Sequence, residues 1–254
     1  MAEIFRPIAV RPPTENRALF QVRCLIDLQL LTIYRFLRNH LPACKGRVLD
    51  VGAGEAPWRE LLNDAEYVGA DVEAAGEFGM RRKAHIIYYD GNTLPFEDGS
   101  FDHLLCTEVL EHVPEPRRLL ADLNRVLRVG GSLVLTVPWS ARLHHVPHDY
   151  ARFTRFGLVL LLQAAGFSNI VIEERGNDVA VIANKLLVLT VRLLRPRNLI
   201  LGLWTWTLAL LLAPPTLAAL IAAHLAMLLG FGSSDDPLGY GVIAVKSATC
   251  SASG

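Results

Sequence analysis

Two groups of residues in this chain have the types and the spacing to do chemistry. The first begins at Asp50, inside the apolar run Val48, Leu49 and Val51, and continues through Gly52, Ala53 and Gly54. Glycines just past a strand end let the backbone turn sharply and approach a ligand with no Cβ in the way. Asp71 closes a second apolar run, Tyr67-Val68-Gly69-Ala70, about 20 residues later, the usual place for a carboxylate that grips ribose hydroxyls. The second group is the histidine-rich segment His144 to Thr154, with Glu111-His112 upstream of it. An imidazole near its ordinary pKa accepts a proton at neutral pH, so His144, His148 and His112 are candidate bases. Asp149 has the position to orient one of them, or to pair with Arg152 and fix the segment. Three histidines also invite a metal reading. Pro147 spoils a helical His144/His148 face and no cysteine joins them, so no metal ligand set is expected.

A glycine turn followed by an acid serves nicotinamide and S-adenosylmethionine enzymes alike, and the glycine pattern decides between them. A dinucleotide fingerprint starting at Gly52 needs a third glycine at position 57, where the chain has Pro57. The D-x-G-x-G of Asp50, Gly52 and Gly54 instead resembles the first motif of class I S-adenosylmethionine-dependent methyltransferases, of the type 11 kind. Where that family often has a further glycine, this chain has Ala56. Leu94-Pro95-Phe96 with Phe101-Asp102, and Leu110-Glu111-His112, also resemble that family's pattern. His144-x-x-Pro147-x-Asp149-Tyr150-x-Arg152-Phe153-Thr154 is similar to an element of one of its subgroups. The resemblance spans roughly residues 46 to 175. It implies that S-adenosyl-L-methionine is the cofactor, held by Asp50, Gly52, Ala53, Gly54, Asp71, Val72, Asp90, Gly91, Thr107 and Glu108. In it Asp90 sits beside the adenine amino group.

The elements that must position these residues follow from periodicity. Asn16 to Leu41 repeats apolar residues at three- and four-residue steps and predicts one core-packing helix, or a lid on the substrate site. Strands are expected at 48–51, 67–71, 84–89, 101–107, 132–137 and 167–175. Helices are expected to begin near Pro57, to span 115–128 with Gly130-Gly131 as the stop, and to run from a Thr154 cap to Gly166. Alternating strands and helices predict an α/β, doubly wound, Rossmann-like sheet. Residues 238–246 resemble the last, antiparallel strand of a seven-stranded methyltransferase sheet. The organisation is then a lead-in and helix over 1–45, and a methyltransferase domain over 46–254 with an apolar helical insertion at 179–234.

That insertion stands out in composition. No Asp, Glu, Lys or Arg occurs between Arg197 and Asp235, and Pro214-Pro215 divides two apolar stretches, 199–212 and 216–231. A helical hairpin is expected there, too short in each arm to span a bilayer. Three roles compete for it: dipping into a membrane, forming a homodimer interface, or capping the active site. Arg192, Arg195 and Arg197, with Trp204 and Trp206, favour the membrane surface.

The chain has 254 residues, 52% of them hydrophobic, and 25 basic against 25 acidic side chains, so nothing points to nucleic acid. Cys24, Cys44, Cys106 and Cys250 lack metal or redox spacing and read as free thiols in a reducing compartment. The charged, proline-containing N-terminus lacks a signal peptide's apolar core, so a cytoplasmic location is expected, on the membrane's cytoplasmic face if the hairpin binds lipid. The functional expectation is methyl transfer to an oxygen or nitrogen of a small or lipid-linked acceptor. The alternatives are a catalytically silent methyltransferase-fold partner protein and an NAD-linked oxidoreductase.

Overall fold

The computed structural model describes residues 8–196 and 198–248. Its centre is a seven-stranded sheet in the order β3-β2-β1-β4-β5-β7-β6. The strands are β1 (Gly46–Val51), β2 (Ala65–Val72), β3 (Ile86–Tyr89), β4 (Phe101–Thr107), β5 (Leu127–Pro138), β6 (Phe167–Arg175) and β7 (Gly239–Lys246). β1 to β5 pair in parallel, and β7 inserts antiparallel between β5 and β6. β1 pairs with β2 on one side and β4 on the other, so the winding reverses at its carboxyl end, where open α/β sheets bind ligands. The last four residues of β1 are buried, which is why they read as a near-continuous apolar run.

Helices cover both faces. On one, α3 (Pro116–Val126) and α4 (Arg155–Ala164) bury Leu120, Leu123, Leu158 and Leu162 against Leu104, Leu127 and Leu135. On the other, α1 (Arg17–Ile26) and α2 (Leu28–His40) bury Phe20, Phe36 and Leu37 against Val48, Trp58 and Val134.

Four expectations are corrected. The helix expected over 16–41 breaks at Asp27, whose N–H still closes α1 on Arg23 O while its carboxylate caps α2 at Leu30 N. The break turns Leu19, Val22, Leu25 and Ile26 outward, so these apolar residues are exposed and outside the core. Near Pro57 there is only a 3₁₀ turn, Arg59–Leu61, because the link between β1 and β2 is short and Trp58 is drawn under α2. α3 stops at Val126 and β5 starts at once, so Gly130-Gly131 lies inside the strand, Gly130 at φ 76°.

The fourth correction concerns the insertion. α5 (Asp178–Leu193) is followed by one continuous helix, α6 (Leu199–Leu229), with Pro214 and Pro215 inside it. The prolines remove the N–H groups that would reach Leu210 and Leu211 O, a local loss. Tertiary contacts carry the helix through. Leu220 and Ala223 pack with Ala180, Val181 and Ala183 of α5, and Thr216 Oγ1 meets Thr190 Oγ1 at 2.9 Å in a buried contact. The hairpin is therefore α5 against α6, and the arms expected at 199–212 and 216–231 are one rod. At 1.5 Å per residue its 31 residues extend about 46 Å, not the 21–24 Å of a half-length arm. Cys24, Cys44 and Cys106 are buried free thiols; Arg197 and Cys250 lie outside the described residues.

Candidate active site

The turn after β1 carries Gly52 at φ 72° and Gly54 at φ 53°, in the left-handed region. The N–H groups of Gly52 and Ala53 donate to Ala70 O at 2.9 and 3.1 Å, which ties the turn to β2. A Cβ on Gly52 would lie 2.3 Å from Val109 Cγ2. Asp71, at the end of β2, accepts the Gly54 N–H at 2.8 Å and the Val72 N–H at 2.7 Å. Burial pushes its pKa up, against the pull of these two amides. Each carboxylate oxygen keeps a lone pair for a further donor.

These groups open on a cavity of about 400 Å³. Gly52, Gly54, Asp71 and Val72 form one side; Tyr89, Gly91 and Asn92 continue it; Glu108, Val109, His112 and His145 face them. Bare glycine backbone, a nearly buried carboxylate with spare acceptors, and the apolar walls of Val72, Met80 and Leu119 fit an adenosyl sulfonium cofactor. At Gly54 the left-handed φ of 53° favours glycine, while a Cβ would meet only Met80 Sδ, at an ordinary contact distance of 3.4 Å.

The other sequence-assigned residues divide. Asp50 does not line the cavity: it is buried and accepts the Tyr67 hydroxyl at 2.9 Å, bracing β1 to β2. Burial pushes its pKa up to about 7; the Tyr67 hydrogen bond opposes this and Asp71 adds to it. Ala53 faces inward against Ala56 and Ile86, and Thr107 is half-buried with its Oγ1 shielded and is not among the cavity-lining residues. Asp90 is fully exposed, and its carboxylate accepts both the N–H and the Nδ2–H of Asn92, which hold its pKa down. Its neighbours Tyr89, Gly91 and Asn92, rather than its own side chain, line the cavity. Glu108 does line it, at φ 52°, and accepts from Arg175 Nη2 at 2.7 Å. Arg175 also donates to Val137 O and Tyr240 O. Sequence reasoning passed over Arg175, the last residue of β6, which is itself buried and so needs partners.

The histidines are held in two ranks. His112 Nδ1–H donates to His148 O at 2.5 Å, so a neutral His112 presents the Nε2 lone pair. His144 Nδ1 is 3.1 Å from Arg142 O and 3.2 Å from Asp149 Oδ2, which fixes the same tautomer. Burial lowers both histidines, His144 to about 4. Asp149 is an orienter: Arg152 grips it at 2.5 and 2.8 Å and it accepts the His144 N–H at 3.0 Å. Burial acts to raise Asp149, but Arg152's hydrogen bonds hold it below the usual carboxylate range. His148 is partly exposed, with Nδ1 3.0 Å from the Tyr150 hydroxyl, and is not among the cavity-lining residues. Of the four candidate catalytic residues only His112 touches the cavity. His145, which sequence analysis did not single out, lines it as well.

Sheet order, the glycine turn after β1 and the carboxylate at the end of β2 define the class of fold: it is that of the class I S-adenosylmethionine-dependent methyltransferases. Residues 49–135 match the family model for a methyltransferase domain. A protein of Methanocaldococcus jannaschii is 30% identical over 102 residues, 40% of this chain and 48% of that protein. The phthiotriol/phenolphthiotriol dimycocerosates methyltransferase 1 of Mycobacterium ulcerans is 34% identical over 115 residues, 42% of each chain. The demethylmenaquinone methyltransferase of Staphylococcus haemolyticus is 36% identical over 101 residues, 35% of this chain and 41% of that one. The chain thus spans less than half the length of these curated relatives. Among solved structures, a Haloferax volcanii methyltransferase in complex with a methyltransferase activator superposes with a TM-score of 0.54 at 15% identity, over 95% of this chain and 99% of the other. A SAM-dependent methyltransferase from Archaeoglobus fulgidus gives 0.51 at 18%, over 90% and 99%. At these identities the structures speak for the fold alone.

Proposed function

We propose that this chain methylates an oxygen or nitrogen of an amphipathic, lipid-like acceptor while docked through α6 on the cytoplasmic face of a membrane. The bound cofactor supplies an electrophilic methyl group on a sulfonium. The glycine turn and Asp71 orient it, and most of the acceleration comes from holding the acceptor atom in line at reacting distance. A base is required only if that atom starts protonated, and His112 Nε2, at the cavity wall, has the position to take the proton.

The observation that carries the membrane part is α6. It has no charged residue over 31 positions, yet it lies on the outside of the molecule. Leu203, Trp204, Leu210, Leu211, Leu228 and Leu229 are each about 70–80% exposed, which is costly for apolar side chains facing water. A core helix of the same composition would be mostly buried; only 22% of its most apolar stretch is. The exposed Leu19, Val22, Leu25 and Ile26 of α1 extend this surface, because His224 of α6 binds Leu25 O at 2.9 Å. Arg192 and Arg195 near the hairpin tip suit anionic headgroups. Curated relatives named for phthiotriol/phenolphthiotriol dimycocerosates and for demethylmenaquinone support an acceptor of that apolar kind.

Two measurements test this reading. Flotation with anionic liposomes should carry the intact chain upward and leave a variant with Leu203, Trp204, Leu210 and Leu211 all changed to Ser at the bottom. An intact chain that stays down and runs as a detergent-free dimer makes the α6 face a homodimer interface instead. Calorimetry should show S-adenosylmethionine binding at least tenfold weaker in Asp71→Ala, which loses charge-assisted hydrogen bonds worth about 1.5–3 kcal/mol each. Unchanged affinity in a folded variant would remove the cofactor assignment.

A further inference from the structure

We propose that Glu111, His112 and His144 form a binding site for one borderline divalent transition metal, of the zinc class, at the inner wall of the cofactor cavity. Glu111 is fully buried beneath the cavity. Beyond its own backbone N–H, neither carboxylate oxygen meets a hydrogen-bond donor among the described residues. A buried carboxylate in that condition is costly unless something cationic faces it.

What faces it are two imidazoles that present acceptors. The Nδ1–H of His112 is committed to His148 O, and that of His144 to Arg142 O and Asp149, so both neutral rings turn Nε2 lone pairs toward Glu111. Glu111 Oε1 is 3.6 Å from His112 Nε2 and 3.9 Å from His144 Nε2, beyond hydrogen-bond reach. A proton on Glu111 would therefore satisfy neither ring at these separations. Two ligands that each sit 2.0–2.2 Å from one metal ion are about 3.3–3.8 Å apart, close to both spacings. All three donor atoms lie within 4.8 Å of one another, so closing around an ion requires shifts of a few tenths of an ångström to an ångström.

The surroundings follow the logic of a metal site. Each histidine is oriented through its far nitrogen by a carbonyl or carboxylate, as in carboxylate–histidine–metal relays. Arg152 in turn fixes Asp149. Beside the cluster Glu108 pairs with Arg175 and Asp149 with Arg152. Two imidazoles and one carboxylate suit zinc and its neighbours better than magnesium or calcium. With three protein ligands, a further position stays open beside His112 and His145, toward the cavity. An acceptor oxygen bound there would be polarised and brought beside the cofactor. That use rests on the methyltransferase reading and replaces His112 as the base, because its Nε2 lone pair is then on the metal; binding of the metal does not rest on it.

The test uses the full chain, stripped with a chelator and titrated with Zn²⁺ alone, bound metal being read by equilibrium dialysis and elemental analysis. One equivalent should bind, and Glu111→Gln and His144→Ala should each weaken binding at least tenfold. Co²⁺ in place of Zn²⁺ should give the visible absorption of a low-coordinate nitrogen and oxygen site, lost in both variants. His148→Ala, which keeps the carbonyl that His112 uses, should bind like the unaltered chain. Circular dichroism establishes that each variant is folded, and the isosteric Glu111→Gln decides if His144→Ala is not. Binding of less than one equivalent, or equal binding in folded Glu111→Gln, overturns the proposal. S-adenosylmethionine calorimetry on the same samples separates this failure from failure of the methyltransferase reading: Asp71→Ala should lose cofactor and keep metal.

Discussion

Changing Gly52 to Ala tests whether the turn after β1 is a cofactor cradle, and the structure sets the size of the effect. At φ 72° an alanine pays about 1–2 kcal/mol for left-handed backbone. Its Cβ would also stand 2.3 Å from Val109 Cγ2, a clash that overpacking data place at about 1–3 kcal/mol. The sum, about 2–5 kcal/mol, lowers Tm by roughly 5–15 °C at this chain length. Backbone strain is present with and without cofactor, so it leaves affinity alone. The displaced Val109, which lines the cavity, does not: S-adenosylmethionine should bind at least tenfold more weakly. Gly52→Ala with Val109→Ala removes the clash and keeps the strain. The double variant should regain most of the affinity and only part of the stability. Calorimetry and thermal melts on both variants read the two effects separately. Wild-type affinity in the single variant, or a double variant no better than the single, would refute this account of the cavity wall.

Two further outcomes follow from buried polar groups. The folded pKa of Asp50, about 7, lies above the unfolded value of about 3.9, so its stabilising contribution is complete below pH 4 and fades as pH rises to 7. Asp50→Asn still accepts the Tyr67 hydroxyl but no longer titrates; its stability relative to wild type should improve by on the order of 4 kcal/mol from pH 4 to pH 8 in urea unfolding. A difference independent of pH would refute the buried, titrating carboxyl. In the hairpin, Thr190→Val or Thr216→Val alone strands the other hydroxyl and should cost about 1–3 kcal/mol, whereas the double change should be nearly neutral. Additive losses in the double variant would mean that the two hydroxyls are not coupled.

What could be read in the sequence was whatever short-range chemistry decides. The buried strands of the parallel sheet show as apolar runs, and the turn with its acid shows because glycine spacing and strand length are local. The antiparallel final strand was legible only through the family resemblance. Residues brought together by tertiary turns were not legible: Glu111 and His144 are far apart in sequence, and the segment is folded back by Tyr150 N–H donating to Glu111 O and His112 Nδ1–H donating to His148 O. Asp90 was read as an adenine neighbour, but Asp-Gly-Asn is also a turn signal, and the turn captured the carboxylate. For α6, a tandem proline is a sound local stop, overridden by the alanine face against α5 and the threonine pair. The helix break at Asp27 was signalled by a capping residue within a periodic run, and periodicity masked it.

The feet of the hairpin stand side by side. Asp178 N–H donates to Ser233 O, Ser233 N–H returns to Asp178 Oδ1, and Asn177 Nδ2–H donates to Phe231 O, each at 3.0 Å. Just beyond them Arg175 pairs with Gly239 across β6 and β7. These two strands are neighbours in space but roughly 60 residues apart along the chain, and closing such a loop from a coil grows costlier with the logarithm of its length. Once α5 and α6 have zipped together, the strand ends are separated by an effective loop of only about ten residues, which lowers the closure entropy by about 1.5 kcal/mol. The appendage that faces outward in the folded protein therefore acts, while the chain is folding, as a clip that delivers its last strand to the sheet.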